Sequence, residues 1–213
     1  MAAHLEEEAQ VEQLKRWWKE NGTSIIAGVI LGLVAIFGWN AWQKHQRTQA
    51  EQASNLYQQM LDAVAEGQDD LTFGLAQRLT GEFASTAYAD FARLLTARAA
   101  VDKGELPKAQ AALESLLQET GDDNFRHLAR LRLARVHLGA GKPQAALDVL
   151  TTADIGDPGR FAGQYEELKG DALAALGKPK DAALAYRKAQ ALGRDYEYLE
   201  MKLNDLGVAA SKP

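Results

Sequence analysis

The chain has 213 residues, 46% hydrophobic and 25% charged, a balance that excludes a wholly disordered protein. Its net charge of −5 argues against a nucleic-acid partner, and the absence of cysteine removes thiol catalysis, disulfides and cysteine-ligated zinc together. The length suits one domain with an extension, or two small domains.

Residues 1–20 form the first segment. MAAHLEEEAQ is acidic and reads as a solvated, mobile tail. After it, Val11, Leu14 and Trp18 share one helical face, while Glu12, Gln13, Lys15, Arg16 and Lys19 fill the rest. That pattern predicts a short amphipathic helix lying on the lipid bilayer and running into the next segment.

Residues 21–43 are the second segment. No Asp, Glu, Lys or Arg occurs between Asn21 and Gln43, and about 20 apolar residues suffice to cross a hydrocarbon core. All four tryptophans bracket the run, Trp17 and Trp18 before it, Trp39 and Trp42 after it. Indole favours the membrane interface, and Trp18 to Trp39 spans about 32 Å as helix. Trp39 and Trp42 stand where a leader peptidase would need small residues, so the run predicts an uncleaved signal anchor. Lys15, Arg16 and Lys19 upstream, against Lys44 and Arg47 downstream, favour a cytoplasmic N-terminus. Gly28, Gly32 and Ala35 share one face, a small-residue pattern that admits a second helix.

Residues 44–213 are helical in pattern, rich in alanine and leucine, and carry an internal repeat. The stretches GELPKAQAAL, GKPQAALDVL and GKPKDAALAY start at Gly104, Gly141 and Gly177, at intervals of 37 and 36 residues. Each has Ala five residues on (Ala109, Ala146, Ala182) and a large side chain nine on (Leu113, Leu150, Tyr186). Glycine with positive φ ends one helix, proline starts the next at no hydrogen-bond cost, and alanine lets the two helices touch. Such hairpins cover their apolar faces only by stacking. Gly67 marks a fourth, degenerate unit. The last helix, Asp195 to Leu206, places Tyr196, Leu199, Leu203 and Leu206 on one face and is expected to cap the stack.

Nothing in the chain points to catalysis. The histidines, His4, His45, His127 and His137, have no zinc-pair spacing, and His137 reads as a packing residue. Gly121-Asp122-Asp123-Asn124 lacks the ligand spacing of a calcium loop and reads as a turn and N-cap for a helix near Phe125. No cofactor, metal or enzymatic activity is expected.

Gly170, Leu173, Gly177, Ala182, Tyr186 and Ala189 follow the tetratricopeptide pattern. Ala134, Gly141, Ala146, Leu150 and Ala153 follow it in part, as do Ala97, Gly104, Ala109 and Leu113. The chain therefore resembles a tetratricopeptide-like α-solenoid of three to four hairpins behind a single transmembrane helix, an all-α protein. In that family the ligand-facing positions project onto Phe91, Leu94 and Arg98; Leu128, Leu131 and Arg135; and Gln164, Glu167 and Asp171. This implies a groove apolar at one end, with arginines near its middle and acid at the other end.

Over nearly its full length the chain also resembles the YfgM family of ancillary SecYEG translocon subunits. The likeness rests on VEQLKRWWKENG, GVILG with Trp39 and Trp42, LRLARVHL, LKGDALAALGKPKDA and MKLNDL in that order. The resemblance implies one span in the bacterial inner membrane, a cytoplasmic N-terminus and a periplasmic repeat domain. It also implies association with the SecYEG translocon, with the membrane-anchored chaperone PpiD and with unfolded secretory proteins. Two other readings share this topology: a regulator acting through residues 1–20, and an assembly factor for envelope complexes.

Overall fold

The structure, a computed structural model, describes the backbone of residues 2–207 and the side chains of residues 11–207. The expectation for MAAHLEEEAQ therefore rests on side chains outside the described residues. Among the described residues there are helices and turns and no strand. The helices are α1 (Ala2–Ala65), α2 (Asp69–Glu82), α3 (Ala87–Asp102), α4 (Leu106–Glu119), α5 (Asp123–Gly139), α6 (Pro143–Thr151), α7 (Ala162–Ala175), α8 (Pro179–Ala191) and α9 (Tyr196–Asp205), with one 3-10 turn at Gly159–Phe161. The chain forms two compact units, residues 1–52 and 53–213.

The first unit is helix α1 up to Gln52. The segment expected to be an amphipathic helix running into the apolar run is helical and continuous with it: α1 passes through Asn21 and Gly22 without a break. The Asn21 amide donates to the Trp17 carbonyl at 3.0 Å, which satisfies that polar side chain within the helix. Among the described residues the side chains of the apolar run from Ile25 to Trp39 are exposed. Leu31 is 70% exposed and Phe37 68%, far too much apolar surface for water. The helix is long and apolar enough to cross a membrane.

The second unit is a stack of hairpins, and its turns follow one design. Gly104 has φ +73°, and the amide beyond it, Glu105 N–H, donates to the Ala100 carbonyl at 2.8 Å. The same six-residue bond closes the other turns, from Gln68 to Ala63, Lys142 to His137 and Lys178 to Leu173. Pro107, Pro143 and Pro179 then sit in the first turns of α4, α6 and α8. Ala109, Ala146 and Ala182 are fully buried, and Leu113, Leu150 and Tyr186 fill the space beside them. The degenerate first unit keeps the plan with other residues. Thr72 stands in the alanine place, buried, its hydroxyl donating to the Gln68 carbonyl at 2.9 Å. One motif position departs: α6 ends at Thr151, so Ala153 lies exposed in the following loop.

A second repeat, of buried charge, crosses the first. Arg93, Arg130 and Glu167 recur at 37-residue intervals, on α3, α5 and α7, and all three are buried. Arg93 reaches the end of α4, pairing with Glu119 at 2.9 Å and donating to the Ser115 hydroxyl at 3.2 Å. Arg130 reaches past the end of α6 to Asp154 at 2.8 Å. In the last hairpin the polarity inverts, and Glu167 accepts from Arg194, beyond α8, at 2.7 Å. Each pair ties the first helix of a hairpin to the chain leaving its second helix. His127 helps hold the long loop before α7. Its Nε2 faces the Asp157 carbonyl at 3.1 Å and must carry the proton, leaving Nδ1 to accept from the Tyr165 hydroxyl at 3.0 Å.

Four apolar clusters follow the stack in order. Helix α9 closes the last one, with Leu199 and Leu203 buried and Leu206 packed against them, but Tyr196 is 68% exposed and not part of that face.

Candidate partner-binding site

The first helices of the hairpins touch in sequence, α3 with α5 and α5 with α7. They form the layer that lines the inner face of such stacks. The nine projected groove residues all lie on it, but the structure divides them.

Leu94 and Leu131 are core residues. Leu94 packs with Leu113 and Leu116, and Leu131 is fully buried with Leu150 and Tyr165. Their helix turn points between layers, so neither presents a surface to a partner. Leu128 is half-buried against the second cluster. Glu167 and Asp171 are committed to the chain's own C-terminal end. Besides Arg194, they hold Lys202 of α9, which lies 3.6 Å from Glu167 and 2.6 Å from Asp171. Tyr186 donates to the same Asp171 carboxylate at 2.8 Å. Burial and then the bond to Asp171 push the Tyr186 phenol far up. For Lys202 burial opposes the charge, yet the bond to Asp171 and the two carboxylates outweigh it and raise its pKa. The acidic end of the expected groove is thus already neutralised. Gln164 remains half-buried beside it.

The surface left open lies at the other end. Phe91 is exposed and joins an aromatic row: its ring is 5.8 Å from Tyr57, 6.1 Å from Tyr88 and 5.2 Å from Phe125. Arg98 and Arg135 meet at a cleft of about 300 Å³ lined also by Ala97, Val101, Leu106, Leu113 and Val136. A third arginine, Arg132, lines the same cleft. Burial, then the charges of Arg135 and Arg98, lower its pKa. Sequence reasoning missed Arg132 because the projected positions skip it. The signal available was the run of three cations, Arg98, Arg132 and Arg135, on two adjacent inner helices. Arg98 has a carboxylate, Asp102, 3.6 Å away on its own helix. Among the described residues none pairs with Arg132 or Arg135. The cleft combines apolar walls with cations, groups that recur where proteins hold peptide segments.

An α-helical repeat stack following one helix long and apolar enough to span a bilayer defines a tetratricopeptide-like protein. The family of tetratricopeptide repeat-like domains matches residues 15–208. The chain is 37% identical to the ancillary SecYEG translocon subunit of Escherichia coli (strain K12) over 211 residues, 98% of this chain and 100% of that one. It is 35% identical to the protein of that name from Haemophilus influenzae over 208 residues, and 30% identical to that from Aggregatibacter actinomycetemcomitans over 213. In both cases 97% of this chain and 100% of the relative are covered. The chain belongs to the family of ancillary SecYEG translocon subunits. No solved structure matches it.

Proposed function

We propose that this protein is a non-enzymatic adaptor of the Sec translocon in the bacterial inner membrane. One helix, within residues 21–43, anchors it, with residues 1–20 in the cytoplasm and residues 44–213 in the periplasm. The repeat domain binds a membrane-anchored chaperone of the PpiD kind and helps pass emerging secretory proteins to periplasmic chaperones. The observation that carries this reading is the full-length match to chains named as translocon subunits, which spans the apolar helix and the repeats together. The open inner face supplies a surface for the contact, and α1 supplies an apolar stretch that only a bilayer or another apolar helix would cover.

The test is site-specific photocrosslinking in native membranes from Phe91 and Arg135, with Leu131 as a buried control. Products with translocon subunits or the chaperone from Phe91 or Arg135, and none from Leu131, are expected. A topology reporter at residue 213 that reads out in the cytoplasm would overturn the reading.

A further inference from the structure

We propose that the cleft between α3, α4 and α5 docks an acidic peptide segment of a partner protein. One apolar side chain of that segment enters between Val101, Leu106 and Val136, and two neighbouring carboxylates pair with Arg132 and Arg135. The proposal rests on the reading of the inner face as a partner surface and names what it takes there.

Three observations lead to this occupant. The cleft holds about 300 Å³, room for one large apolar side chain and not for a folded element. Its walls are apolar, with Val101 43% exposed at the mouth, so water there is readily displaced. Its rim is strongly cationic and unevenly neutralised. Arg98 already has Asp102, whereas Arg132 is half-buried among like charges with no carboxylate partner among the described residues. An unpaired, partly desolvated guanidinium is costly, and a bidentate carboxylate relieves that cost. The count also selects among anions. Two unpaired arginines call for two negative charges, which a pair of acidic side chains supplies and a single chain terminus does not. The opposite end of the inner face makes the contrast plain, because its carboxylates are taken by Lys202 and Arg194. At the arginine end Asp102 faces Arg98 alone, and no described carboxylate pairs with Arg132 or Arg135.

Fluorescence anisotropy tests this with the full-length protein in detergent micelles. The probe is a capped 12-residue peptide carrying one leucine flanked by two glutamates in a neutral polar background. Binding is expected, weakened about tenfold or more by Arg132→Ala with Arg135→Ala, and by Glu→Gln or Leu→Ala in the peptide. Raising the salt should weaken it as well. Because Arg132 is half-buried, Val101→Asp, at an exposed position, serves as an independent variant and should also abolish binding. Circular dichroism is to show that each variant keeps its helices. No binding by the wild-type protein, or equal binding by the arginine variants or the glutamine peptide, overturns the proposal. Concentration-dependent self-association abolished by the same substitutions, with no peptide bound, assigns the cleft to a second copy and also overturns it. Failure here, with crosslinks from Phe91 intact, removes the occupant of the cleft but not the adaptor reading.

Discussion

At Gly170 the α7 and α8 helices come so close that an added Cβ would stand 2.3 Å from Cε1 of Tyr186. The ring has no room to retreat, since Tyr186 is buried and its hydroxyl is held by Asp171. Alanine has the better helix propensity by about 1 kcal/mol, but overpacking typically costs about 1–3 kcal/mol. Gly170→Ala is therefore expected to lower stability, read as a lower urea midpoint. His137 offers a pH test. It is buried, its Nδ1 finds no partner among the described residues, and burial lowers its pKa. The unfolded state then binds the proton first. The contribution of neutral His137 is present above the ordinary histidine pKa of about 6.5 and is lost as pH falls below it. Urea unfolding of His137→Leu should show a flatter stability profile than wild type between about pH 7 and pH 5. Asp122 is the N-cap of α5 and accepts from the amides of Asn124 and Phe125 at 2.7 and 3.4 Å, which lowers its pKa. Its contribution is present above about pH 4 and lost as pH falls through the depressed value. Asp122→Ala is expected to cost about 1 kcal/mol at neutral pH and less in acid, by the same measurement.

Between elements, the ion pairs at 37-residue spacing are the distinctive device. A helix hairpin buries apolar surface readily, but the loop leaving it has few apolar residues to hold it down. Arg130 and His127 fix residues 154–157 from α5 through charge and hydrogen bonds. Arg130→Ala should speed amide exchange in residues 152–161 by hydrogen-exchange mass spectrometry, with the α3–α4 hairpin unchanged. A uniform increase across the domain would instead mean that the pair supports the fold globally. The inverted pair lends itself to a double-mutant cycle. Glu167→Ala alone leaves Arg194 without its carboxylate, and exchanging the two as Glu167→Arg with Arg194→Glu should recover part of the loss. Full recovery is not expected, because Lys202 also contacts Glu167.

At the scale of the molecule, the adaptor proposal needs both the apolar helix and the stack of hairpins. If the helix serves only as an anchor, replacing residues 25–38 by leucines should leave membrane insertion and chaperone crosslinking intact. If Gly28, Gly32 and Ala35 form a helix–helix contact, the same change should remove the translocon crosslinks alone. Beyond the local helix backbone, no described atom lies within 4 Å of a Cβ built at Gly28 or Gly32, so both positions are open on the helix surface. Deleting residues 1–20 while keeping the span separates the adaptor from a regulator acting in the cytoplasm. Retained translocon association after the deletion supports the adaptor.

The sequence by itself determined the elements and their order. The apolar run, the Gly-Pro turns, the buried alanines and the Asp122 cap are local devices, written in consecutive residues by composition, φ requirement and helical period. Even the weak unit at Gly67 could be placed by spacing, because the glycine turn fixes the hairpin whether alanine or threonine follows. What only the tertiary structure decided was which inner-layer side chains face outward. Leu94 and Leu131 were projected onto the groove but face the core, since burial depends on the neighbouring hairpin and on the tilt between layers. The acidic residues Glu167 and Asp171 were already satisfied by Arg194 and Lys202, partners 27 and 31 residues away. Arg132 completed a cationic cleft only when α3 and α5 were brought side by side. Local rules reach about one turn of helix along the chain, whereas pairing and desolvation are settled by whatever the fold sets next to each charge.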